Sequence, residues 1–131
     1  MADSKISKLV LIASSTGGPK ALQSVIPFIS KNIPAPVVIV QHMPKGFTAT
    51  LAQRLNDLSE IKVSEVTDSE YLENRHVYLA AGGKHLEILQ DRRGHLQFKE
   101  NLSDPIGGLR PCANVTFKSL TSAAIEYMVC V

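Results

Sequence analysis

Two stretches of this chain join an unbroken apolar run to a polar corner and then to a helix, and that order leaves few folds open. In the first, Lys8-Leu-Val-Leu-Ile-Ala-Ser-Ser-Thr-Gly-Gly-Pro19, the apolar residues Leu9 to Ile12 lead into a corner rich in Ser, Thr and Gly. Four apolar residues in a row suit a strand covered on both faces, which is the habit of parallel sheets. Gly17 and Gly18 allow a sharp turn, and Pro19 suits the first position of a helix, where its missing N–H costs nothing. Ala21, Leu22, Val25, Ile26 and Ile29 then predict an apolar stripe along that helix.

The pattern repeats once. Lys31 to Pro36 carries two prolines and reads as a stop, after which Val37 to Val40 predicts a second buried strand. That strand ends in Gln41-His42-Met43-Pro44-Lys45-Gly46, and Phe47, Leu51, Leu55 and Leu58 then recur at helical spacing. If a right-handed crossover joins the two strands as parallel neighbours, their carboxyl ends share one edge of the sheet. Ser15 and His42 then face one crevice, the place where open α/β sheets bind ligands.

The second half reads differently. Ile61 to Val66, His76 to Ala80, His85 to Leu89 and His95 to Lys99 are short candidate strands, with Gly82-Gly83 and Asp91 to Gly94 as plausible hairpin connections. They predict an antiparallel or mixed annex. A last helix with Ala113, Phe117, Leu120 and Ala124 on one face leads to an apolar segment, Tyr127 to Val131, read as one more buried strand. The fold class expected is α/β: a mostly parallel, doubly wound, Rossmann-like sheet with an antiparallel hairpin annex.

Length and charge narrow the function. The chain has 131 residues, 44% of them hydrophobic, which suits one domain with a sizeable core. A formal charge of +2 is too small for a nucleic-acid footprint. No apolar run approaches the length of a membrane span, so a cytoplasmic protein without membrane insertion is expected. Cys112 and Cys130 do not form a CxxC pair and are expected to be free thiols.

The chemistry-bearing residues gather at the corners. A serine hydroxyl needs a base to take its proton, and Ser15 with His42 supplies that pair. Backbone N–H groups at Thr16 and Gly17, beside a helix amino terminus, suit a developing oxyanion. The same corner also suits a bound phosphate or carboxylate, or serves only to open the helix, and the spacing leaves all three readings open. His76, His85 and His95 lack metal-ligand spacing, and neither a metal nor a cofactor is expected. Arg110, before Pro111, suits either an acidic substrate group or a local ion pair.

Four ordered motifs carry a resemblance. The runs Ile12 to Pro19, Val38 to Asn56, His76 to Glu87 and Arg110-Pro111 resemble the catalytic domain of the CheB family, the chemotaxis protein-glutamate methylesterases. The resemblance implies a serine hydrolase of a two-component signalling system. It removes methyl groups from glutamates on the cytoplasmic domains of methyl-accepting chemoreceptors, releases methanol, and in many members also deamidates glutamines. It sets the catalytic serine at Ser15 and the histidine at His42. It further implies an amino-terminal receiver domain, and an aspartate in a Gly-Met-Gly-x-Asp-Gly segment after the strand matched by Tyr127 to Val131; this sequence contains neither. Asp68, Asp91 and Asp104 offer no stated route to His42. The expectation is a CheB-type domain over residues 1–131, incomplete at its carboxyl end. Its activity is reduced, and the strand edge near Val129 to Val131 invites a homo-oligomer. The alternative expectation is an impaired domain that binds receptors or anions without turnover.

Overall fold

A computed structural model of the chain describes residues 6–14, 17–121, 123 and 126–130. In chain order the elements are β1 (Lys8–Ser14), α1 (Gly18–Val25), a 3-10 turn (Ile26–Phe28), β2 (Val37–Gln41), α2 (Phe47–Leu58), β3 (Lys62–Glu65), β4 (His76–Leu79), β5 (His85–Gln90), β6 (Leu96–Asn101), α3 (Ala113–Leu120) and β7 (Glu126–Cys130). Five strands form one parallel sheet in the order β3-β4-β2-β1-β7, and β5 with β6 forms a separate antiparallel pair.

The unbroken apolar runs are explained by cover on both sides. Every residue of β2 is buried. Val37 and Ile39 join Val77 and Leu79 against Leu22, Ile26, Leu51 and Leu55 of the helical layer. Val38 and Val40 face the other way and pack with Tyr78, Leu86, Ile88, Leu96, Phe98 and Leu120 beneath the hairpin and α3. Alternate residues of one strand thus serve two cores, as a period of two requires.

The helices differ from expectation in extent and rotation. Pro27 cannot donate to the helical ladder and its ring crowds the preceding turn, so α1 ends at Val25 and tightens into the 3-10 turn. Of the expected stripe, Leu22 and Ile26 are buried, whereas Ala21 and Val25 are exposed; Phe28, past the break, is 86% exposed. On α2 the buried face is Thr48, Leu51, Ala52 and Leu55, with Phe47 and Leu58 in solvent. On α3, Ala113 and Leu120 face the core and Phe117 is partly exposed, while Ala124 lies outside the described residues.

The annex is smaller than the sequence suggests. Ile61 to Val66 and His76 to Ala80 belong to the parallel sheet, with Val63 opposite Val77 and Val37 opposite Val77 on its other side. The misreading has a physical cause: the crossover between β3 and β4 is not a helix. It runs extended along β6, where the Ser69 N–H donates to the Phe98 carbonyl (3.0 Å), the Phe98 N–H to Glu70 (2.8 Å) and the Leu72 N–H to Leu96 (2.9 Å). Gly82-Gly83 is correspondingly no hairpin turn but the passage from the sheet to the hairpin layer. Asp91 to Gly94 does turn the hairpin: one Asp91 carboxylate oxygen accepts the N–H groups of Arg93 and His95, both at 2.9 Å.

His76 is built into this core. Its ring stacks on Tyr78 with centroids 4.0 Å apart, and its Nε2 lies 2.7 Å from the Ser64 hydroxyl. Burial first, and then the charge of Lys62, push its pKa down to about 4, against an opposing pull from Glu73. The unfolded chain therefore takes up a proton near pH 6.5 that the folded chain refuses until about pH 4. Folding stability is expected to fall as pH drops through that window, by roughly 3 kcal/mol in total. Urea unfolding at intervals across the window should show this slope in the wild type and a flatter one in His76→Phe, which keeps the ring stack. Equal slopes would remove His76 from the account.

Candidate active site

The carboxyl ends of β1 and β2 are held in register, with Ser14 directly opposite Gln41. The Ser14 hydroxyl donates to Gln41 Oε1 (2.5 Å), the Gln41 side-chain amide donates to the His42 carbonyl (3.3 Å), and the His42 N–H donates to the Ser14 carbonyl (3.4 Å). Gln41 is itself buried, so this small network locks the strand ends at the point where both chains leave the sheet. His42 then emerges exposed at the rim. Ser15 and Thr16, the next residues after β1, lie outside the described residues.

Close approach sets the floor. A Cβ on Gly18 would lie 1.9 Å from Gln41 Oε1, so the first helical residue of α1 must be glycine for Gln41 to reach Ser14. Gly17 stands just ahead of α1 at a φ of +79°, and its carbonyl accepts the Ala21 N–H (3.1 Å). The first turn of such a helix leaves N–H groups without intrahelical acceptors, and they favour a negative charge.

On the far side of His42, the segment Met43 to Gly46 is pinned by β4's continuation. A Cβ on Gly82 would meet the carbonyl oxygens of Met43 and Pro44, both at 2.6 Å. The Gly82 N–H donates to the buried Thr48 hydroxyl (2.9 Å), which in turn donates to the Glu65 carboxylate (2.5 Å). Thr48 thereby ties the first turn of α2, the end of β3 and the β4–β5 passage together. β2 leads into the helical layer and β4 into the hairpin layer, so the chain parts between them at this edge, the kind of position at which open α/β sheets bind ligands.

Arg110 joins the edge through its backbone: its carbonyl accepts the Gly83 N–H (3.2 Å). Its guanidinium Nη1 donates to the carbonyls of Leu102 and Ser103, each at 3.3 Å, so that nitrogen closes the Leu102–Arg110 loop. Two of the carboxylates considered from the sequence are occupied elsewhere: Asp68 accepts the Glu100 N–H (2.8 Å) and Asp91 caps the hairpin. Asp104 is held through its backbone, its carbonyl lying 2.9 Å from His85 Nε2. Cys112 is a buried free thiol. No cluster of three or more His, Cys, Asp or Glu suited to a metal occurs among the described residues. No helix among them is long and apolar enough to cross a membrane.

Sequence reasoning missed the Ser14–Gln41 bond, the Thr48 junction and the steric demand at Gly18 and Gly82. Of these only the glycine doublets left a trace in the sequence, and a doublet does not say which neighbour crowds it.

The fold and its edge define a class: an open, mostly parallel α/β domain in which the carboxyl ends of β1 and β2 lie side by side. The profile of the CheB methylesterase family matches residues 10–131, and the chain belongs to that family. It is 45% identical over 132 aligned positions to a protein-glutamate methylesterase/protein-glutamine glutaminase of Syntrophomonas wolfei, covering 98% of this chain and 38% of that protein. It is 48% identical to the Bacillus subtilis protein-glutamate methylesterase/protein-glutamine glutaminase, over 86% of this chain and 31% of that one. The crystal structure of the Thermotoga maritima CheB methylesterase catalytic domain superposes with a TM-score of 0.87 at 41% identity, over 94% of this chain and 65% of that one. The chain thus spans roughly a third of the length of these curated relatives.

The two crowded glycines should respond differently to a methyl group. At Gly18 the obstacle is the end of a flexible side chain, whereas at Gly82 it is backbone. Gly82→Ala is expected to destabilise by about 2–3 kcal/mol or more, and Gly18→Ala by less, since Gln41 can turn away. Chemical denaturation of both variants checks the order, and the reverse order would contradict the packing described.

Proposed function

We propose that this chain is a CheB-type catalytic domain, spanning residues 1–131, that hydrolyses glutamyl methyl esters on the cytoplasmic domains of methyl-accepting chemoreceptors, working in the cytoplasm. The observation that carries the reading is the parallel register of Ser14 with Gln41, since the residues that follow them are Ser15 and His42. The sharing of one fold with protein-glutamate methylesterases supports it.

In this reading Ser15 Oγ attacks the ester carbonyl while His42 takes its proton. Backbone N–H groups at Thr16 and Gly17, at the amino end of α1, hold the oxyanion of the tetrahedral intermediate. His42 returns the proton to the departing methoxy oxygen, methanol leaves, and an acyl-enzyme remains on Ser15. Water, deprotonated by His42, then releases the glutamate carboxylate. With a glutamine side chain the same steps expel ammonia, which is the glutaminase reaction in the relatives' names. Arg110 contributes by closing the Leu102–Arg110 loop beside Gly83. The acid implied by the resemblance follows the strand matched by β7. With Cys130 opposite Ile12, a segment after that strand would run toward the same edge.

Methanol release from methylated receptor fragments tests the reading. Ser15→Ala and His42→Gln are each expected to lower the rate at least about 10³-fold. A version extended by the aspartate-bearing segment is expected to exceed this chain by up to about 10⁴-fold. Turnover that survives Ser15→Ala would overturn the assignment, and a serine-directed probe that leaves Ser15 unlabelled would favour a binding role.

A further inference from the structure

A cavity of about 350 Å³ opens at the amino edge of the parallel sheet, the end opposite the Ser14–Gln41 corner. It is lined by residues 8–10 of β1, residues 33–35 of the segment entering β2, and Glu126 of β7. Small-molecule sites run from about 300 to 1,000 Å³ and set a few polar groups among apolar walls. Both features are present here. Leu9, Val10, Ile33, Pro34 and Ala35 make the walls, and among the described residues Lys8 and Glu126 bring the charge. β1 is seven residues long, so about 20 Å of strand separates this cavity from the serine corner.

The main chain around the cavity has little to offer a ligand. The Val10 N–H donates to the Pro36 carbonyl (3.0 Å), the Ile33 N–H to Ser30 (3.1 Å) and the Glu126 N–H to Ser7 (3.0 Å). The Ala35 carbonyl accepts the Arg75 N–H (3.3 Å), and Pro34 has no N–H to give. Recognition therefore falls to the two charges. Lys8 and Glu126 stand directly opposite each other on the paired strands β1 and β7. Opposite charges so placed commonly pair, yet both side chains are exposed and neither makes an ion pair among the described residues.

We propose that this cavity binds a free α-amino acid with an apolar side chain. The ligand carboxylate meets Lys8, its ammonium meets Glu126, and its side chain enters the apolar part beside Val10 and Ile33. A cation and an anion at one apolar cavity match a zwitterion, whereas a simple acid or a simple amine leaves one of the two charges unanswered. A peptide segment fits less well, because its main-chain groups meet walls whose N–H groups at Val10, Ile33 and Glu126 are already spent. The inference is independent of the esterase reading, since the cavity lies at the other end of β1. A ligand there bridges the first residues of β1 and β7, and it stabilises the folded chain because only that chain brings Lys8 to Glu126.

Titration of the full chain with L-leucine, followed through its amide NMR signals, tests this. Leucine is expected to shift the signals of residues 8–10, 33, 35 and 126 and to leave those of Gln41 and His42 in place. Glycine, the same zwitterion without the side chain, should bind at least about tenfold more weakly. Leucinamide lacks the carboxylate and N-acetyl-leucine lacks the ammonium, and each should bind about threefold or more weakly than leucine. Lys8→Gln is expected to weaken leucine by that factor and to leave leucinamide unaffected. Glu126→Gln should weaken leucine likewise and leave N-acetyl-leucine unaffected. Both positions are exposed, and urea unfolding without ligand confirms that each variant is folded. No shifts with leucine, shifts centred away from the cavity, equal affinity for glycine, or charge variants that bind leucine as the wild type does would each overturn the proposal.

Discussion

The whole arrangement depends on β2 being buried on both faces. A strand with Val37 and Ile39 on one side and Val38 and Val40 on the other cannot lie at a surface, so the chain must supply a layer above it and a layer below. The helices α1 and α2 provide one layer; the β5–β6 hairpin and α3 provide the other. Polar groups have no place within such a strand, and they gather where it ends. Gln41 and His42 begin at the last point of burial, and Ser14 meets them in register from β1. The candidate active site is thus a consequence of where the sheet stops being covered.

Close packing converts that position into geometry. Thr48, Gly82 and Gly18 have no reactive chemistry to contribute, yet they fix which carbonyls and side chains meet at the carboxyl ends of β1 and β2. Thr48 donates to Glu65 and accepts from Gly82, so three separated parts of the chain share one buried hydroxyl. Such junctions are sensitive because an unpaired buried donor costs more than a made hydrogen bond returns.

A serine and a histidine also meet inside the core, away from the carboxyl edge. Ser64 and His76 lie 2.7 Å apart between neighbouring strands, with the ring flat on Tyr78 and its pKa held down to about 4 by burial. That histidine stays neutral and buried, a piece of the core. His42 is instead exposed, just past the carboxyl end of β2. Proximity of the two residue types does not distinguish the cases; position relative to the sheet does.

The sequence by itself determined the two β-α units, the edge on which their corners meet, and the hairpin at Asp91 to Gly94. Each of these follows from short-range signals: unbroken apolar runs, helical spacing, and the side-chain chemistry of turns. Tertiary structure alone decided that β3 and β4 extend the parallel sheet, because their crossover is an extended segment supported by β6, and no local pattern reports a partner brought from elsewhere in the chain. It alone decided that Val25 and Phe47 face solvent, since α1 turns Leu22 to the core and the buried Thr48 sets the rotation of α2. It also decided the environment of Gln41, Gly18 and Gly82. Their roles are set by atoms far away in sequence, and packing at interior density exists only once the layers have met.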